Sequence, residues 1–236
     1  MFKTALPALF LLSAFSVFGS TVGTVPCATG TLAAYESGFA PPSSGCSIGI
    51  LDYSTFSYQD LQGPAISASD VLVTPGTGSN GFSFSQVGGA PFSANGDVVQ
   101  FAIYYTIVID PAPVIPGADT HLDPPVGDVS VTEYFCNDSL LRLAQTTYSC
   151  QAPASSIYSL TVTTAAPNAA ITFKTPATQY ETVGIVFTLD GTKGLASFDG
   201  LDTNTTVTGA APEPASVMLV GLFMVAGGYK LKKRKN

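Results

Sequence analysis

The sequence has no tryptophan, a single histidine and, away from its two ends, almost no positive charge. Each absence removes a class of function. Of nine basic residues only Arg142, Lys174 and Lys193 lie between Thr21 and Ala211, where they face fifteen carboxylates for a formal charge of −12. So acidic a segment repels a phosphate backbone, which excludes nucleic acid as a partner. With one histidine, any Ser-His-Asp or Cys-His arrangement depends on His121, and no GxSxG turn accompanies it. The four cysteines show no CxxC spacing, so a thiolate metal site lacks its pattern. Charged residues are scarce at 11%, but hydrophobic residues reach 46%, a composition that buries a core rather than staying disordered. A chain of 236 residues accommodates one sizeable domain with appendages.

Both ends read as addresses. Met1-Phe2-Lys3, an apolar run from Ala5 to Phe18, and the small residues Gly19 and Ser20 have the order of a signal peptide, residues 1–19, cut after Gly19. Thr24-Val25-Pro26 before Cys27 lacks the small residues that precede an acylated cysteine, so no lipid anchor is expected there. At the other end Pro212-Glu213-Pro214 precedes an apolar stretch from Ala215 to Tyr229 and the basic tail Lys230, Lys232, Lys233, Arg234 and Lys235. Fifteen residues in a helix reach only about 22 Å, so this short transmembrane helix needs lysines that snorkel toward the headgroups on the cytoplasmic side. Two prolines keep Glu213 out of that helix and leave the tripeptide extended and accessible.

This order resembles the PEP-CTERM sorting signal of exported bacterial proteins. The resemblance covers residues 212–236 and implies an exosortase, a membrane enzyme that cleaves near Pro212-Glu213-Pro214 and passes the protein to the cell surface or extracellular matrix. No LPxTG-like motif points to a sortase, and a GPI signal would not end in five cations. The segments Gly30-Thr31-Leu32 and Gly45-Cys46-Ser47-Ile48-Gly49, with the later cysteine pair, are similar to an ectodomain type found with this signal. That similarity implies no activity.

Residues 20–202 alternate in period two between turn residues, which predicts an all-β domain of about nine to eleven strands. Phe101 to Ile109 reads as a central strand buried on both faces. Val183, Ile185, Phe187 and Leu189 share a face ahead of Asp190-Gly191, and Phe82 and Phe84 follow Asn80-Gly81, a dipeptide suited to positive φ. Val129, Val131 and Phe135 form a further strand. From Ile48 to Tyr58 the alternation breaks at Asp52 and predicts a bulge or bend, while Leu160, Val162, Pro167, Ile171 and Phe173 suggest a hairpin. No helical period is visible outside the two ends. Many short antiparallel strands bury their faces against a second sheet, so the expected fold is a jelly-roll-like β-sandwich, followed by a Thr-rich tether at residues 203–211.

An even number of cysteines after a signal peptide implies disulfides among Cys27, Cys46, Cys136 and Cys150. Three pairings are possible. The local pairs, Cys27 with Cys46 and Cys136 with Cys150, would each contribute roughly 3 kcal/mol. His121 and the carboxylates Asp110, Asp119, Asp123 and Asp128 lie in a proline-rich stretch that reads as a solvated loop; its spacing matches no EF-hand. Asn137-Asp138-Ser139 and Asn204-Thr205-Thr206 read as chance matches to the glycan acceptor pattern. Tyr53, Tyr58, Tyr104 and Tyr105 read as core or strand-face residues.

The composite expectation is a non-enzymatic exported protein of the cell envelope, surface or extracellular matrix, with no cofactor and a structural or adhesive β-sandwich. Its partners are the membrane, an exosortase-type enzyme and extracellular polysaccharide. The alternatives are a carbohydrate-binding or calcium-dependent recognition module and, behind it, a glycoside hydrolase working through two carboxylates.

Overall fold

The alternation carries through to strands in the computed structural model, which describes residues 25–38, 45–109, 114–137, 140–144, 147–150, 157–177 and 180–208. In chain order these are β1 (Val25–Pro26), β2 (Gly30–Thr31), α1 (Leu32–Gly38), β3 (Cys46–Ile48), β4 (Leu51–Gln62), β5 (Val71–Pro75), β6 (Phe82–Gln86), β7 (Phe92–Ala94) and β8 (Val98–Ile109). Then follow β9 (Val114–Asp123), β10 (Asp128–Cys136), β11 (Leu140–Ala144), β12 (Thr147–Cys150), β13 (Ile157–Thr163), β14 (Asn168–Ala177), β15 (Tyr180–Asp190), β16 (Ala196–Phe198) and β17 (Gly200–Thr208). Two- and three-residue strands, too short for any alternation to register, raise the number above that expected.

Two large sheets face each other in a β-sandwich-like arrangement. One orders its strands β1-β3-β4-β8-β15-β10-β13 and the other β14-β9-β17-β6-β5-β2. From β8 through β10 and from β13 through β15 the chain changes sheet at each connection between long strands. β8 sits centrally between β4 and β15. Its Phe101, Ile103, Tyr105 and Ile107 are buried in the inter-sheet core with Phe84 and Leu201 from the other sheet, and each such side chain contributes roughly 1.5–3 kcal/mol through burial. Aromatic rings concentrate at two places. Phe101 and Phe187 stack at 4.4 Å beside Phe92 and Phe198, whereas Tyr35, Tyr53, Phe56 and Tyr105 pack edge to face around Phe82.

Five details depart from the sequence reading. α1 is a helix, capped where Ala34 N–H donates to Thr31 Oγ1, and it buries Leu32 and Tyr35 three residues apart. Its seven residues are too few to display a period. The proline-rich stretch is the strand β9 from Val114 onward, and Asp110 lies outside the described residues. Leu160 and Ile171 do not share a hairpin ladder, because β13 and β14 belong to different sheets, joined by a turn with a Thr163–Ala166 bridge and packed on each other through Tyr158 and Phe173. Residues 203–208 are the second part of β17 rather than a tether, held by β9 from Gly200 to Thr208. β4 is irregular between Ser54 and Ser57 and again between Asp60 and Gln62 rather than at Asp52, with Thr55 at φ 53° and its hydroxyl bonded to that of Thr106.

Among the described residues no helix is long and apolar enough to cross a membrane. The expected signal peptide, the Pro212-Glu213-Pro214 motif, the span and the basic tail lie outside those residues.

Candidate functional site

The outer face of the six-stranded sheet follows from alternation alone. β9 turns Ala118, Thr120 and Leu122 into the core and thereby places Asp119, His121 and Asp123 outside. β17 does the same with Leu201, Thr203 and Thr205, leaving Asp202 and Asn204 outside. Register then aligns the polar groups across strands. His121 lies opposite Asn168 of β14 and opposite Asp202 of β17. Asp202 in turn lies opposite Ser83 of β6, which lies opposite Thr74 of β5. One polar row therefore crosses five strands, with Asp119 opposite Asn204 one rung away.

Half of this constellation is fixed by its own hydrogen bonds. The Asn80 N–H donates to Asn204 Oδ1 at 2.9 Å, and Asn204 Nδ2 donates to Asp119 Oδ2 at 2.7 Å. His121 is held at both ring nitrogens, by Asn168 Oδ1 at 2.5 Å and by Asp123 Oδ1 at 2.7 Å. The other half is uncommitted. Asp202, Ser83 and Thr74 have no side-chain partner among the described residues. His121, Asp202, Ser83 and Thr74 of this row line an open groove of about 420 Å³ together with Gly76, Thr77 and Ser79. A second hollow of about 380 Å³ continues beyond His121 over Asn168 and Ala170.

A second polar group lies inside the sandwich. Glu133 takes the core-facing phase of Val129, Val131 and Phe135, and Glu181 that of Val183, Ile185 and Phe187; they are 1% and 0% exposed. Burial pushes the Glu133 carboxyl up to about 8, with the Asp119 carboxylate adding to the rise. Burial also holds Glu181 well above the ordinary carboxylate range, reinforced by Glu133. Glu133 Oε1, Thr120 Oγ1 and both carboxyl oxygens of Glu181 make no hydrogen bond among the described residues. Protonation is how such groups avoid the larger penalty of a buried charge. Tyr105, pushed upward chiefly by burial and then by Glu133, belongs to the same interior group.

The outer face of the seven-stranded sheet is partly covered by the β11–β12 hairpin. Tyr148 of that hairpin meets Tyr104 hydroxyl to hydroxyl at 2.7 Å and packs on Tyr134 with ring centres 4.5 Å apart. Gly184 makes room: a Cβ there would lie 2.6 Å from Leu140. Disulfides join Cys27 to Cys46 and Cys136 to Cys150, which are the local pairings, and the second closes the segment that contains the hairpin. Tyr53 and Tyr105 are core residues, and Tyr58 and Tyr104 are partly buried on strand faces.

Of the residues singled out in the sequence, His121, Asp119 and Asp123 come together on β9, whereas Asp128 lies at the start of β10. No group of three or more metal-ligating side chains occurs among the described residues. Asp202, Asn204, Asn168, Ser83 and Thr74 were not singled out for this site. For Asp202 and Asn204 the signal was available as outward positions alternating with Leu201, Thr203 and Thr205, but the threonines read as a tether.

No protein-family model matches the sequence, and no curated protein matches it. Among solved structures, a similar chain is TmCBM61, a carbohydrate-binding module in complex with beta-1,4-galactotriose. It shares 11% identity over 73% of this chain and 94% of its own, with a TM-score of 0.35. At that level nothing about a ligand transfers to this protein.

Proposed function

We propose that the chain is an exported surface or matrix protein, sorted at its carboxyl end by an exosortase-type enzyme, with a non-catalytic adhesive domain of jelly-roll-like form. The observation that carries this reading is the order Pro212-Glu213-Pro214, apolar stretch, basic tail. Two disulfides agree with it, because such bonds persist in oxidising compartments outside the cytoplasm. The hydrolase alternative draws no support from the strongly perturbed pair Glu133 and Glu181, since a glycosidase flanks an open cleft with its carboxylates and these two are sealed between sheets.

The test is the intact mass of the protein from its native host, in separate membrane and extracellular fractions. Extracellular protein ending near Pro212, and about 4 Da heavier after reduction of two disulfides, is the expected result. A carboxyl terminus intact in every fraction would overturn sorting and leave a permanent single-pass anchor.

A further inference from the structure

From the groove on the six-stranded sheet we infer a binding site for a neutral polysaccharide laid across the strands, with Asp202, Ser83 and Thr74 as hydroxyl-binding groups. This deepens the adhesive reading above by naming what the domain adheres to. The argument begins with what the groove refuses. Asp119, Asp123 and Asp202 outnumber the one basic side chain, His121, so phosphates, sulfates and uronates are repelled. Phe82 contributes to the lining but is 1% exposed, so an apolar ligand finds little to cover. The absence of a three-residue metal cluster among the described residues disfavours a divalent ion. The hydroxyls of a neutral polyol suit both the carboxylate acceptor of Asp202 and the serine and threonine hydroxyls, which donate or accept.

Geometry sets the direction. Neighbouring strands are about 4.8 Å apart, so a row running Asn168, His121, Asp202, Ser83, Thr74 offers one polar rung per strand. That pitch is close to the length of one pyranose unit, so a linear glycan crossing the strands meets a new rung with each sugar. The hydrogen-bonded floor of Asn204, Asp119 and His121 is organised before any ligand arrives, which limits the ordering cost of binding.

The experiment is affinity electrophoresis of the full-length exported protein through gels containing galactan, xylan, laminarin or alginate. Retardation by at least one of the three neutral polymers and none by alginate is expected. Asp202→Ala and Ser83→Ala should each weaken that retardation, Asp202→Ala by about tenfold or more. Thr132→Ala, on the outer face of the opposite sheet, should leave it unchanged. Circular dichroism of each variant separates loss of binding from loss of fold. Retardation by alginate alone, by no polymer, or equally in Asp202→Ala would overturn the assignment. None of these outcomes depends on where the carboxyl terminus is cut, so the site and the sorting reading fail separately.

Discussion

Glu133 and Glu181 make the interior of this protein sensitive to protons. An unfolded glutamate titrates near 4.5, and folded Glu133 near 8; between those values the folded state keeps a proton that the unfolded state has released. Stability is therefore fully present below about pH 4.5 and declines as pH rises through 8, with a slope of about 1.4 kcal/mol per pH unit for one such group. Glu181 acts in the same direction. Denaturant titrations at pH 4.5 and 8 should show the drop, and Glu133→Gln should raise stability at pH 8 by about 2 kcal/mol or more while changing little at pH 4.5. An identical pH profile in the variant would refute the assignment. The sequence reading passes over both positions, although each glutamate occupies the apolar phase of its strand. Nothing in a linear pattern revealed that they face the same layer of core, because that depends on β10 pairing with β15. For the same reason His121 was visible as a lone histidine but its row was not: Asn168, Asp202, Ser83 and Thr74 come from four other strands.

At the level of elements, long strands were legible wherever one face is buried, as in β8 and β15, and pairing partners were not. The hairpin expected around Pro167 illustrates the reason. Period two fixes which side chains share a face, but the same pattern serves a ladder within one sheet or a step between two. The β11–β12 hairpin lies on the outside of its sheet and closes within a disulfide-bounded segment. Replacing Cys136 and Cys150 together by serine should cost about 3 kcal/mol, measured by thermal unfolding, and should increase the solvent exposure of Tyr148. Unchanged stability would mean that the packing of Tyr104, Tyr134 and Tyr148 alone holds the hairpin. The approach to β10 imposes a different constraint. Gly127 has φ 74°, and a Cβ there would fall 2.1 Å from the Leu195 carbonyl oxygen, so Gly127→Ala should destabilise by about 2 kcal/mol or more, measured by denaturant titration.

For the whole molecule, the β-rich middle and its two facing sheets were readable from composition and alternation, while the order of strands within each sheet was not; the two expected addresses lie outside the described residues. The sorting reading predicts that deleting Pro212 to Pro214 leaves the protein in the membrane fraction, as read by immunoblot of fractionated cells; unchanged release would refute it. The path of the chain through the sandwich adds a mechanical consequence. The last described strand, β17, is not at an edge: β9 flanks it from Gly200 to Thr208, and β6 flanks its beginning. A load applied beyond Thr208 along that strand would shear many ladder hydrogen bonds together instead of peeling them away in succession. The Cys27–Cys46 bridge stops the opposite end of the described chain from unravelling past β3. A protein pulled from its carboxyl end in this way yields late and abruptly rather than strand by strand.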